Sequence, residues 1–180
     1  MDPSEAIELN EIVVAAARHV LPDCGIPLGE LLQNADDTAE VKQLVAFMGF
    51  TGDVLRGTLA MVVPIELMRR AYPLAFRDNV RWEFEVFDWA GEVANRLLGR
   101  IKLGLGARSV DIEASTPRVM LGEQLHVTRS TRGTVCSACF ATSGTPMRVW
   151  FDAISPEGQS VFGPASAAGG QPEGDVLLFD

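Results

Sequence analysis

Three polar side chains in the stretch Phe87–Lys102 have the types and the spacing that chemistry on a helix surface requires. Asp88, Glu92 and Asn95 follow one another at i, i+4 and i+7, which places them on one face of an α-helix. A carboxamide can both donate and accept hydrogen bonds, and a carboxylate accepts strong hydrogen bonds from cationic groups.

The long helix that would carry these side chains is predicted from about Trp82 to about Leu103, with Gly104 and Gly106 closing it. At about 100° per residue, its apolar residues form a stripe roughly 100° wide that should face the core. These residues are Val86, Ala90, Val93, Ala94, Leu97 and Ile101. The three polar residues occupy the opposite, outward face together with Gly99, and Gly91 lies close to its edge.

Two glycines on or beside an exposed helix face need an explanation, because glycine inside a helix costs about 1 kcal/mol relative to alanine. Close approach by another body is one explanation. The simpler interpretation is that the face only contacts solvent, since Asp, Glu and Asn are ordinary residues on an exposed helix. The pattern alone favours this simpler interpretation, although Arg96, Arg100 and Lys102 flank the polar row instead of interrupting it.

Composition places the chain among ordinary globular proteins and argues against several classes of function. Its 180 residues, 47% of them hydrophobic and 22% charged, indicate a single domain with a real core. A net charge of −9 argues against a nucleic-acid-binding protein, which needs clustered Lys and Arg. No apolar run is long enough for a membrane span, and the acidic N-terminus does not resemble a secretory signal, so a cytoplasmic location is predicted.

Other site chemistries find little support in the sequence. Cys136 and Cys139 form a C-x-x-C pair, but no second pair exists to complete a metal site. The pair lies inside a β-like segment, so two small apolar residues in a strand are the simpler interpretation. The two histidines do not suggest a Ser-His-Asp catalytic set. The Gly-Leu-Gly at residues 104–106 follows a predicted helix, which is typical of a helix end, whereas a nucleotide-binding loop follows a strand.

The first half of the chain predicts two helices and a hairpin. Asp2-Pro3-Ser4-Glu5 has the capping residue, proline and acid of a helix start, and this helix should continue to about Val20. Residues 41–50 and 54–63 predict an antiparallel hairpin joined by a tight Thr-Gly-Asp turn. Pro64 is expected to open a short helix.

The second half of the chain predicts β structure, which together with the helices indicates an α+β, or mixed α/β, fold built on an antiparallel sheet. The predicted segments are strands at residues 107–115, 134–142 and 147–155 and a bend with a short edge strand at residues 115–124. Residues 1–155 are predicted to form the single domain, and residues 156–180 a flexible tail rich in Gly, Ala and Pro. The final DVLLFD is either a terminal strand or a docking peptide.

The polar row and its surroundings resemble the CheC/CheX/FliY chemotaxis phosphatases. The motif Asp88-x-x-x-Glu92-x-x-Asn95 is similar to the D/S-x3-E-x2-N signature of that family. GFTGDVLRGTLAMVV resembles its hairpin, in which a Gly-Phe-x-Gly turn leads into a strand with a glycine, and ASTPRVMLGEQ resembles its Ser-x-Pro-x-Val-x-x-Gly segment. The segments occur in the family's order between about Phe47 and Gln124, and the single E-x-x-N helix resembles the CheX branch.

The resemblance implies a phosphatase that hydrolyses the aspartyl phosphate of a CheY-type receiver domain, in chemotaxis or another two-component signalling pathway. It implies that Glu92 forms a salt bridge with the receiver's lysine and that Asn95 orients the attacking water. Asp88, Gly91 and Gly99 are expected at the partner-binding surface. No cofactor or metal site is expected in this chain, because the receiver domain would hold Mg²⁺. A homodimer made through sheet edges is a further expectation.

Two alternatives to catalysis remain open at this point. One is a CheX-like module that binds a receiver domain, or another signalling protein, without hydrolysis; the intact Glu92 and Asn95 favour catalysis over it. The other is a small protein whose helix face is merely solvated. If the site assignment is right, Glu92 and Asn95 should be exposed on one helix face with no lid over them. Trp89, about 100° around the helix from Asp88, is expected to be half buried or to touch the partner.

Overall fold

The strands that the structure describes form one antiparallel sheet with helices packed on it. The computed structural model describes residues 1–32, 41–73, 82–123, 125, 133–144, 146–156 and 159–162. The elements are α1 (Pro3–Asp23), β1 (Leu31–Leu32), β2 (Lys42–Thr51), β3 (Arg56–Pro64), α2 (Ile65–Ala71), α3 (Trp82–Gly106), β4 (Glu113–Ala114), β5 (Arg118–Glu123), β6 (Thr134–Phe140) and β7 (Met147–Ile154). The seven strands within these residues lie in the order β1-β6-β7-β3-β2-β4, and β5 also pairs with β2. This is the predicted α+β class.

The predicted hairpin of β2 and β3 lies at the centre of the sheet, and its side chains alternate between two apolar clusters. Leu44 and Met48 point to the main core beneath the helices, and Val45 points to the other face. That second face carries a smaller cluster, which is completed by Ala60, Val62 and Trp150. The alternation follows the two-residue period of a strand. The short predicted helix begins at Ile65, directly after Pro64.

Helix α3 packs its predicted apolar stripe against the sheet and α1. Each of the six predicted core residues is at most 1% exposed. The helix is longer than predicted, because Gly104 and Gly106 lie in its last turn instead of closing it. A Cβ on Gly104 would lie 2.7 Å from Cγ2 of Ile12, so this glycine allows α1 and α3 to approach closely. The chain leaves the helix through Ser109, whose φ of 62° is the left-handed conformation that commonly follows a helix end.

One strand of the second half is shorter than predicted. The strand predicted over residues 107–115 is reduced to β4, because its first residues form the turn after α3.

Cys136 and Cys139 lie in strand β6, as the simpler interpretation predicts, and both are buried free thiols. Burial raises the pKa of the Cys136 thiol to about 11, which keeps it protonated and unreactive at neutral pH. Among the described residues, no helix combines the length and the apolar character that crossing a bilayer demands.

The start of α1 binds a segment from the far end of the chain. Asp2 accepts hydrogen bonds from the backbone N–H groups of Ser4 and Glu5, and Oε2 of Glu5 accepts one from the N–H of Asp2, which completes a capping box. The other oxygen, Oε1, accepts hydrogen bonds from Ser160 Oγ at 2.5 Å and from the N–H of Val161 at 2.7 Å. Residues 159–162 of the predicted tail therefore contact the domain.

The rest of the predicted tail, including DVLLFD, lies outside the described residues, so the boundary at residue 155 stays a prediction. Within the described part, Val161 is only 2% exposed and belongs to the main core. The ring of Phe162 lies 6.0 Å from the guanidinium of Arg108, which also forms an ion pair with Glu8. These contacts join the C-terminal segment to both α1 and the end of α3.

Glu5→Gln is expected to lower the free energy of unfolding by about 2 kcal/mol at pH 7, because charged hydrogen bonds contribute about 1.5–3 kcal/mol. Burial alone would raise the pKa of the Glu5 carboxyl, but hydrogen bonds from Ser160 and from backbone N–H groups outweigh burial and hold the pKa below its usual 4.5. Since the folded-state pKa is depressed, this stabilisation is present above pH 4.5 and is lost as the pH falls through the folded-state pKa.

Urea unfolding at pH 7 and in acid checks this expectation, with the exposed Glu11→Gln on the same helix as the matched control. The difference between wild type and Glu5→Gln should narrow in acid, where both carry a neutral side chain at this position. Equal stabilities at pH 7, or a difference that does not depend on pH, would contradict it.

Candidate functional site

The three polar residues of α3 lie on the face of the helix that is turned away from the sheet. Asp88 and Asn95 are exposed, and the side chain of Glu92 is 44% exposed. Within the described part of the chain nothing forms a lid over them, as the site assignment requires. The opposite face of the same helix is fully buried, so the polar row sits on a rigid support.

Glu92 is held by a neighbouring side chain of its own helix. Nε of Arg96 donates to Oε1 of Glu92 at 2.7 Å, one turn further along α3. Both side chains are about half exposed, 51% for Arg96 and 44% for Glu92, and such a pair contributes only about 0.3–0.5 kcal/mol. Glu92 can therefore exchange Arg96 for a cation of a partner at little cost in free energy.

An aromatic cluster supports this ion pair on the side of the polar row that faces α2. The guanidinium of Arg96 lies 5.5 Å from the centroid of the Trp89 ring, a cation–π contact. Trp89 meets Tyr72 edge to face at 6.4 Å, and the Tyr72 hydroxyl donates to Oε2 of Glu85 at 2.9 Å. Trp89 is half buried, which is one of the two positions that the sequence predicts for it. The cluster orients Arg96 and, through it, Glu92.

A groove of about 490 Å³ opens on the other side of the polar row, between α3 and the connection from β4 to β5. Its floor is apolar and includes Gly91, Pro117 and Val119. The polar row forms the side of the groove that α3 provides, and Phe84 lines the groove near the N-terminal end of α3. The face therefore combines an apolar depression with a rim of two carboxylates and one carboxamide.

The two glycines of this face differ in their surroundings. Gly91 is buried, and a Cβ there would lie 3.5 Å from Cγ of Pro117 and 3.8 Å from Cγ2 of Val119. The protein's own chain thus approaches Gly91 at ordinary contact distance, and the place of this glycine at a partner-binding surface stays a prediction. Gly99 has nothing within 4 Å of its Cβ position. Its place at a partner surface, like that of Asp88, stays a prediction.

Gly99→Ala is expected to raise the free energy of unfolding by about 1 kcal/mol, because alanine favours a helix more than glycine does. The added methyl group would have no atom within 4 Å, so it causes no clash. Gly104→Ala is the matched comparison in the same helix. Its methyl group would lie 2.7 Å from Ile12, so this variant should gain less or lose stability. Urea unfolding of both variants checks the pair. A Gly99→Ala protein that is less stable than the wild type would contradict it.

Neither Phe84 nor the Glu92–Arg96 pair was predicted from the sequence. A signal for Phe84 existed, because it lies four residues before Asp88 and so on the same helix face. Pro117 lies in the segment that resembles the family's Ser-x-Pro-x-Val-x-x-Gly, but its position beside Gly91 depends on tertiary packing. Among the described residues, no three side chains of the metal-binding types come together.

The part of the chain that carries the polar row matches a known protein family. The family model described as chemotaxis phosphatase CheX matches residues 44–141, which is more than half of the chain. The match covers most of β2, all of β3 and α3, and the connection that borders the groove. A search of the curated proteins gives no match.

Solved structures of the same family share the fold. A chemotaxis protein CheX from Desulfovibrio desulfuricans is 20% identical, with a TM-score of 0.64 over 83% of this chain and 99% of that one. CheX from Vibrio vulnificus is also 20% identical, with a TM-score of 0.66 over 81% and 99%. CheX from Borrelia burgdorferi, solved in a CheX–CheY–BeF3–Mg²⁺ complex, is 18% identical, with a TM-score of 0.60 over 81% and 97%. The chain described here belongs to the CheX family of chemotaxis phosphatases.

Proposed function

We propose that this protein hydrolyses the aspartyl phosphate of a CheY-type receiver domain on the outward face of α3. The observation that carries the proposal is the exposure of Glu92 and Asn95 together on one face of a helix whose other face is buried. Membership of the CheX family supports it, and so does the complex of a CheX relative with CheY. Receiver domains are signalling proteins of the cytoplasm, so we also propose a cytoplasmic location.

The reaction requires little covalent chemistry from the phosphatase. The oxygen of a water molecule bonds to phosphorus, the bond between phosphorus and the aspartate oxygen breaks, and the products are a free carboxylate and inorganic phosphate, with the water's proton passing to phosphate or solvent. Positioning and charge stabilisation supply most of the catalysis in such reactions. The metal that neutralises the phosphoryl oxygens would be Mg²⁺ held by the receiver, so this chain would need no cofactor of its own.

Asn95 has the chemistry to place the attacking water. Its amide oxygen can accept a hydrogen bond from the water while its N–H group donates to a phosphoryl oxygen, which would align the water with phosphorus. The residue is exposed near the middle of a 25-residue helix, so it can enter a crevice in the partner. Gly99, one turn further along, leaves the surface beside it open.

Glu92 has the position to anchor the receiver. It lies three residues before Asn95, so both reach the same partner site. When it binds the receiver's lysine, it releases or shares its weak pairing with Arg96. Asp88 adds a second carboxylate one turn earlier and extends the negative charge of the surface. The acidic rim favours a partner whose site presents a lysine and a metal ion.

A homodimer made through a sheet edge is part of this proposal. Among the described strands, β5 pairs with β2 alone, and so leaves its other edge available. Met120 and Leu121 of this strand are 50% and 40% exposed, which supports apolar contacts across such an edge.

Decay of a phosphorylated receiver tests the proposed function. A receiver from the same genome is phosphorylated with acetyl phosphate, freed of donor, and mixed with less than one equivalent of this protein while released phosphate is measured. We expect faster decay and more than one phosphate released per molecule. Glu92→Gln should lose much of the acceleration, whereas Glu66→Gln, an exposed glutamate paired to Arg69 on α2, should keep it. A receiver that binds with no change in decay rate would favour the non-catalytic module instead.

A further inference from the structure

An exposed aromatic side chain lies on the same helix face as the polar row, one turn before it. Phe84 is 70% exposed, the highest value among the exposed large hydrophobic residues of the described chain. It borders the apolar groove whose floor includes Pro117 and Val119. We propose that Phe84 and this groove form a specificity site that binds an apolar side chain of the receiver domain next to its phosphorylation site. This inference rests on the proposed function.

The distance along the helix places Phe84 at the edge of the contact area of a docked receiver that is centred on Asn95. Asn95 follows Phe84 by eleven positions, which is about 16 Å along the axis and about 20° around it. A specific interface buries roughly 800 Å² per partner, equivalent to a patch about 16 Å in radius. A receiver that takes Asn95 into its site therefore extends as far as Phe84.

The chemistry of the groove defines what it can bind. Apart from the polar row at its rim, the groove is lined mostly by apolar residues, among them Gly91, Pro117 and Val119, with Thr116 as the polar exception. An apolar side chain on the receiver would displace water from the groove and cover Phe84. An acidic side chain in the same place would lose hydration and meet the carboxylates of Asp88 and Glu92 at the rim. Aromatic residues surrounded by a polar rim have the composition of binding hot spots.

The conserved chemistry of the reaction explains why such a site is needed. Every receiver that carries an aspartyl phosphate offers the same phosphoryl group, lysine and metal, so Glu92 and Asn95 cannot distinguish one receiver from another. The phosphorylation site of a doubly wound α/β domain lies in a crevice at the carboxyl ends of its strands, bordered by loops. These loops differ between receivers, and the groove beside Phe84 is placed to contact one of them. Discrimination then comes from contacts away from the reacting atoms.

Two variants separate binding from catalysis at this site. Phe84→Ala removes the exposed ring, and Gly91→Ala places a methyl group in the groove floor at an ordinary contact distance of 3.5 Å from Pro117. Ile7→Ala is the matched control, because Ile7 is 64% exposed but lies on α1, outside the lining of the groove. With a phosphorylated receiver as substrate, both groove variants should raise KM about tenfold and leave kcat within about twofold, as loss of a hot-spot contact does. Binding of the receiver loaded with beryllofluoride, a stable phosphoryl mimic, should weaken by the same factor.

The outcomes distinguish this inference from the proposed function. If the wild type accelerates decay but Phe84→Ala and Gly91→Ala have its KM, the specificity site is wrong and the phosphatase stands. If these variants lower kcat instead of raising KM, a binding role for the groove is also overturned. If the wild type accelerates the decay of no receiver, the proposed function fails, and this inference fails with it.

Discussion

Asn95→Ala is expected to remove the acceleration of receiver dephosphorylation, with kcat falling by about 100-fold or more. Loss of one positioning group in an active site typically has an effect of about 10²–10³-fold. The effect should fall on kcat alone, because Asn95 is proposed to act on the attacking water and Glu92 to hold the partner. Truncation of an exposed helix residue should change the free energy of unfolding by no more than about 0.5 kcal/mol.

Three measurements make this expectation decisive. Single-turnover decay of the phosphorylated receiver gives the rate, titration with the beryllofluoride-loaded receiver gives the affinity, and urea unfolding shows that the variant is folded. Asn10→Ala, which removes an amide from α1, is the control and should behave as the wild type. If Asn95→Ala retains the wild-type kcat, the carboxamide does not position the water and the site assignment is wrong.

Gly57→Ala is expected to destabilise the protein by about 3 kcal/mol or more, as overpacking of a well-packed interior does in its severe cases. Gly57 lies in β3 between Phe50 of β2 and Ala153 of β7. A Cβ at this position would overlap the backbone oxygen of Asp152 and lie 2.8 Å from Cζ of Phe50. Neither can move freely, because the oxygen belongs to a paired strand and the Phe50 ring is stacked on Phe151 at 4.5 Å.

A second sheet glycine provides the comparison for this variant. A Cβ on Gly49 in β2 would lie 3.5 Å from Oγ of Ser115, an ordinary contact, so Gly49→Ala should change stability by less than about 1 kcal/mol. Urea unfolding followed by circular dichroism compares the two proteins. Similar losses for both would show that the cost is general to glycines in these strands and does not come from the overlap at Gly57.

The elements that carry the site could be predicted because their signals are local. Helix α3 has a stripe of apolar residues with the helical period, and burial of that stripe leaves only one direction for Asp88, Glu92 and Asn95. The hairpin has a Thr-Gly-Asp turn between two apolar segments of matching length. In both elements, the spacing of apolar residues that predicts the structure is also the spacing that buries those residues in the core.

The details that could not be predicted depend on contacts between distant parts of the chain. A glycine near the end of a helix is equally typical of a helix end and of close helix packing, and only the position of Ile12 decides for Gly104. The Glu92–Arg96 pair needs a choice of rotamers that spacing alone does not determine. The groove exists because Pro117 packs beside Gly91, and the attachment of Ser160 to Glu5 joins opposite ends of the chain.

One helix carries the proposed chemistry on its outer face and the core on its inner face, and this restricts how the protein can change during evolution. Insertion or deletion of one residue within α3 before Asp88 would rotate everything after that point by about 100° relative to the helix start. If the helix start keeps its place, the polar row and the apolar stripe after it would rotate together away from solvent and core; if the stripe keeps its place, the start of the helix would rotate instead. Single substitutions on the outer face do neither. We therefore expect related proteins to vary this surface by exchanging side chains, and to confine changes of length to the segments that flank the helix.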